Sequence, residues 1–217
     1  IVSSRWEYYY NYGYMYRADD KAYTYNEDGT FTVSYTEGVA SFTEYYDKDS
    51  KLIKEIIFTN FSEEKTEDLG GGEYYTYKHI DESTTTNEYS YINGYKYLSS
   101  QTYENTYDDA MEVHTIDEYT LIKFDYFHRT IYNKYNSTEF VVTGTETTKI
   151  GEITYIYDDT YLTKNYDISE KVNDTITSKK GVEVKLLEDR SIVSGSYEDE
   201  NLDRYEYDKE SETYVLA

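Results

Sequence analysis

Apolar and polar positions alternate with a period of two along most of this chain. The alternation is plainest at 6–16, where Trp6, Tyr8, Tyr10, Tyr12, Tyr14 and Tyr16 occupy every even position. Successive side chains of a strand point to opposite faces, so the spacing predicts one long strand carrying these rings in a row. A helix would scatter the same rings around its circumference. At about 3.3 Å per residue such a strand would run roughly 36 Å. The rest of the chain repeats the theme in shorter pieces.

Tyr23 and Tyr25, then Asn26-Glu27-Asp28-Gly29, then Phe31, Val33 and Tyr35 predict a β-hairpin. Asn and Asp tolerate the left-handed region and Gly enters it freely, as a tight hairpin turn requires. A second hairpin is predicted over 39–46 and 52–61, with its turn at Asp47-Lys48-Asp49-Ser50. There Leu52, Ile56 and Phe58 oppose Ile53 and Ile57, which predicts strands covered on both faces. Residues 62–72, ending in Gly70-Gly71-Gly72, read as a flexible break. Asn93-Gly94 between Tyr89-Ser90-Tyr91 and Tyr95-Lys96-Tyr97 is the sharpest hairpin signal. Further turns are expected at Asn136-Ser137, at Asp158-Asp159 and over 208–211, and a strand at Val182, Val184 and Leu186 follows Lys179-Lys180-Gly181. The least strand-like stretch, 104–111, has room for one short helical turn.

This pattern predicts a single all-β domain over 1–217, with a loop break at 62–72: an antiparallel up-and-down meander of roughly 12–15 strands. Closure into a complete or partial barrel removes exposed edges rich in Tyr and Thr, and is the expected architecture; a two-layer sandwich and an open twisted sheet are the alternatives. A membrane barrel needs apolar alternation in every strand. The segments 75–79 and 89–97 offer Tyr and, of aliphatic residues, only Ile92, so the chain is not expected to span a membrane.

Composition sharpens this picture. The 217 residues hold 32 Tyr against 7 Phe and 1 Trp, and the mean hydropathy is −0.87. A tyrosine buries a large ring but keeps a hydroxyl that needs a partner, so it suits half-buried sheet faces better than a dry centre. Proline is absent, which fits a chain made almost wholly of paired strand. Cysteine is absent too, excluding disulfides and thiolate chemistry. Lys and Arg number 21 and Asp and Glu 44, a net charge of −23. That field repels phosphates, so nucleic acid is not an expected partner.

One unit recurs at 23–35 (YTYNEDGTFTVSY), 45–53 (YYDKDSKLI), 155–166 (YIYDDTYLTKNY) and 205–215 (YEYDKESETYV): a Tyr pair, an Asp- or Asn-containing turn, and an alternating strand. It resembles the Tyr-Asp hairpin repeat (YD or RHS type) of bacterial cell-surface and secreted proteins, and is similar to Tyr-rich meander domains of bacterial surface lipoproteins. The usual Gly-Arg after the turn and a strict period are missing. The resemblance implies architecture and an extracellular or cell-surface location, with any signal or anchor segment upstream of this chain. It carries over no catalytic residue.

Candidate chemistry follows from the same residues. The row Trp6, Tyr8, Tyr10, Tyr12, Tyr14 and Tyr16 offers ring faces for sugar stacking and hydroxyls for hydrogen bonds. Asp47, Asp49, Asp158 and Asp159 supply hard oxygen ligands of the kind calcium takes; no other cofactor is indicated. The three histidines, His79, His114 and His128, have no pair spacing that would mark a zinc site. No nucleophile elbow is present. The expected function is therefore a non-enzymatic structural or adhesive binding module with a glycan or protein partner at a surface. A barrel carrying a glycan or small ligand, and a self-assembling filament subunit that exchanges strands, are the alternatives.

Overall fold

The computed structural model describes residues 8–11, 14–18, 21–109, 112–141 and 144–217. Their strands are β1 (Tyr8–Asn11), β2 (Tyr14–Ala18), β3 (Lys21–Tyr25), β4 (Phe31–Glu37), β5 (Ala40–Tyr46), β6 (Leu52–Gly70), β7 (Glu73–Ile92) and β8 (Tyr95–Asp109). They continue with β9 (Glu112–Phe124), β10 (Thr130–Val141), β11 (Thr145–Tyr157), β12 (Tyr161–Val172), β13 (Thr175–Leu186), β14 (Ile192–Asp199), β15 (Arg204–Asp208) and β16 (Thr213–Leu216). The order in the sheet is the order in the chain, so the fold is an antiparallel meander. Among the described residues no helix is long and apolar enough to cross a membrane.

The meander stays open, and the expected barrel closure does not occur. The physical reason lies in the side chains. A barrel or sandwich needs a face that can be stripped of water, and here both faces of most strands carry Tyr, Thr and charged groups. Among the described residues Val33 and Leu162 are the only buried hydrophobic side chains, and none falls below 2 % exposure. The two-sided cover expected around β6 is likewise not formed: Ile53 is 40 % exposed.

The chain forms two compact units, Ile1–Thr115 and Ile116–Ala217. In the first, β6 and β7 form a hairpin with arms of 19 and 20 residues, several times the usual strand length of about five or six. The predicted break at 62–72 is strand as far as Gly70, and the turn is confined to its tip. Of the stretch 104–111, read as the least strand-like and as having room for a helical turn, 104–109 belong to β8, and 110–111 lie outside the described residues. In the second unit the Asn136-Ser137 turn is likewise absent, since β10 runs through it. At the amino-terminal end Asn11 pairs with Tyr14, so the predicted single strand over 6–16 is a hairpin of β1 and β2. Trp6 and Tyr12 lie outside the described residues.

Three of the turns share one geometry. At 47–51, 125–129 and 199–203 the first Asp donates its N–H to the carbonyl of the fifth residue, at 2.9–3.1 Å, and accepts from the N–H of the fourth. Its Oδ1 also accepts from the N–H groups of the third and fifth residues, at 2.8–3.0 Å. The fourth residue then takes a positive φ: 60° at Ser50, 66° at His128 and 65° at Leu202. The 26–30 turn repeats the backbone pattern with Gly29 in that place. Aspartate thus does locally what a longer loop would do with water.

Candidate ligand-binding cleft

Two sheet faces of the second unit differ in kind. Register places Lys134, Glu152, Asp167, Lys180, Glu198 and Arg204 in one row across β10 to β15. This row lines a shallow trough of about 890 Å³. Lys180 and Asp167 pair at 3.1 Å with side chains 73 % and 59 % exposed, so the trough is a solvated, charge-balanced face. Pairs this exposed contribute little to stability.

The opposite face is aromatic and half-buried. In β11 the side chains alternate, with Ile153, Tyr155 and Tyr157 half-buried and Glu152, Thr154 and Ile156 exposed. On the aromatic face Tyr135, Gly151, Ile168, Lys179 and Asp199 form a row across β10 to β14. The neighbouring row carries Tyr166, Gly181, Tyr197 and Tyr205. Gly151 sits here because the Tyr135 ring lies across it: a Cβ at 151 would overlap that ring. Residues without a side chain in mid-strand mark such close approaches.

On the far side, Tyr197 and Tyr205 face each other from adjacent strands. Their ring centroids are 4.8 Å apart and nearly parallel, at 13°. Aromatic pairs of this kind add about 0.5–1.5 kcal/mol beyond the area they bury. Burial, and then the charges of Asp199 and Asp203, raise the Tyr205 hydroxyl above its ordinary pKa.

Between these aromatic ends lies a cleft of about 560 Å³ with Ile168 and Lys179 on its floor. The Lys179 Nζ is 4.9 Å above the Tyr197 ring. Lys149 and Glu170 pair at 3.3 Å along one side, and Glu200 Oε2 accepts from the Ser178 N–H at 3.1 Å on another. Aromatic side chains at both ends, an aliphatic floor and polar groups at the rim thus converge, which the trough behind them does not achieve.

The first unit has a comparable cluster whose groups are already used. Tyr35 and Tyr46 donate to Glu44 at 3.0 and 2.6 Å. Tyr89 and the Asn87 amide donate to Glu55 at 3.0 and 3.1 Å, and Gln101 donates to Asn87 at 2.9 Å. Phe42 stacks on Tyr35 at 4.8 Å, and the Lys21 Nζ sits 3.9 Å over the same ring. No ring face is left open at Tyr35. This cluster is a hydrogen-bonded belt that substitutes for an apolar core.

The residues expected from sequence fare differently. Tyr8, Tyr10, Tyr14 and Tyr16 are placed by backbone in β1 and β2, while the stacking surface they were expected to form lies outside the described side chains. Asp47 commits its carboxylate to its own turn, and Asp158 Oδ1 accepts from the Thr160 and Tyr161 N–H groups at 2.7 and 2.6 Å. Those two N–H groups hold the Asp158 carboxyl below its ordinary pKa. Asp49 and Asp159 are exposed at their turn tips. Among the described residues no three His, Asp or Glu side chains group as a metal site would need. His79 is buried at 7 % exposure against Phe61, whose ring is 5.9 Å away.

The cleft residues Tyr135, Gly151, Tyr197 and Tyr205 were not singled out by sequence reasoning. The one local signal was Gly151 within an alternating strand. Compared with known proteins, the chain matches no family model, no curated protein and no solved structure.

Proposed function

We propose that this chain is a non-enzymatic binding module that holds a glycan in the cleft between Tyr135 and the Tyr197–Tyr205 pair. One observation carries the reading: Gly151 leaves room for the Tyr135 ring to lie across it, opposite a second aromatic wall, with Lys179 and Asp199 between them. Flat ring faces stack against the C–H faces of a pyranose, and the flanking polar groups match its hydroxyls. An adhesive role at a cell surface fits the acidic composition, which keeps chains apart in solution.

The test is calorimetric titration with neutral pyranose oligosaccharides chosen from a glycan array. Tyr197→Ala and Tyr205→Ala should each weaken binding at least ~10-fold, about 1.4 kcal/mol. Asp167→Asn, on the opposite face, should bind as the parent does. Equal affinity in all three variants would remove the cleft from the reading, and a blank array would remove the glycan.

A further inference from the structure

The cleft has a direction and a length, and both restrict what fits it. Its long axis crosses the strands, because its floor is built from one residue per strand: Ile168 on β12, Lys179 on β13, then Asp199 on β14. The aromatic groups stand at its two ends. The Tyr135 ring lies over β11, and Tyr197 rises from β14 against Tyr205 on β15. Neighbouring strands are about 4.8 Å apart, so the ends are separated by three spacings, roughly 14 Å. One pyranose unit, about 5 Å between its linkage oxygens, cannot reach both ends; about three can.

Charge restricts the ligand further. The cleft is lined by Lys149 and Lys179 and by Glu170, Asp199 and Glu200, and 2 − 3 leaves it at −1. Lys149 is already neutralised by Glu170 at 3.3 Å. The whole chain carries −23. An anionic sugar would enter against this field, and the cleft's other cation, Lys179, is held over the Tyr197 ring.

From this geometry we infer that the ligand is a linear, uncharged oligosaccharide of at least about three pyranose units, laid across the strands from Tyr135 to Tyr197. This inference rests on the glycan reading and specifies it. The inner unit sits over Ile168, one end unit stacks on the Tyr135 ring, and the other abuts the Tyr197–Tyr205 pair, whose stacked rings and the Lys179 ammonium close that end.

The experiment titrates the full chain with a neutral oligosaccharide series from one to six units, beside a uronic-acid series of the same lengths. Affinity should rise at least ~10-fold between the disaccharide and the trisaccharide or tetrasaccharide, about 1.4 kcal/mol, then level off. Tyr135→Ala should abolish that rise, so that long and short members bind alike. Tyr135→Phe, which keeps the ring over Gly151, should restore it and so exclude a folding defect. Length-independent affinity in the parent would overturn the inference and leave the glycan reading standing. Preference for the uronic-acid series would overturn the uncharged assignment. No binding to either series would overturn both.

Discussion

Glu44 lies directly opposite Glu55 in the β5–β6 ladder, and tyrosine hydroxyls from three strands converge on the two carboxylates. Like charges opposed across a ladder are destabilising. The hydroxyl donors of Tyr35, Tyr46 and Tyr89 offset that repulsion, because hydrogen bonds to charged groups are among the stronger ones.

Tyr46→Phe should therefore cost about 1–2 kcal/mol, as it leaves a half-buried carboxylate short of a donor. Urea unfolding of this variant and the parent measures it. Unchanged midpoints would mean that the belt is incidental.

The same tyrosines set the alkaline limit of the fold. Burial, reinforced by the Glu44 or Glu55 acceptor, raises Tyr35 and Tyr89 to about 12, and raises Tyr46 in the same direction. A group whose pKa is higher folded than unfolded stabilises fully below the unfolded value, about 10, and loses that contribution as pH climbs through the folded one. Tm should stay level to about pH 9.5 and fall between about 10 and 12. Replacing all three by Phe should lower Tm at neutral pH and flatten this alkaline slope.

Asp47→Ala and Asp125→Ala each remove a carboxylate that receives two backbone N–H groups of its turn. By analogy with helix caps, each should cost about 1 kcal/mol. Asp49→Ala, with its side chain at the exposed tip, should lie within about 0.5 kcal/mol of the parent. Chemical denaturation separates the two classes.

Leu202 occupies the left-handed turn position at φ 65° and is 78 % exposed. A bulky residue gains nothing there and strains the backbone. Leu202→Gly should stabilise by roughly 0.5–1 kcal/mol, read as a rise in Tm.

Gly151→Ala should destabilise by about 1–3 kcal/mol, because the new methyl overlaps the Tyr135 ring. In a Tyr135→Ala background the same change should be close to neutral. That double-mutant cycle isolates the contact, and a cost that persists without the ring would place the strain in the backbone instead.

Local chemistry explains which parts of this structure the sequence makes legible. Asn93-Gly94 reads directly as a hairpin turn, and both residues have positive φ, 52° and 86°. Asp47 and Asp158 read equally well as turn formers. Two of the misread stretches are 62–70 and 104–109, where charge and threonine replace apolar alternation. An open sheet wetted on both faces does not require that alternation, so its signature is missing from the strands least in need of it. The cleft is illegible for another reason. Tyr135 and Tyr197 are 62 positions apart (197 − 135), and only the registers of four successive hairpins bring them to one face.

Each strand pairs with its neighbours in sequence, and this has a kinetic consequence. All-β folds are usually slow to form because partners distant in sequence must meet before any contact is rewarded. Here each new hairpin can add to an edge already present, so assembly can proceed by zipping. Opening can run the same way, from a free edge inward and one strand at a time, as in linear repeat arrays.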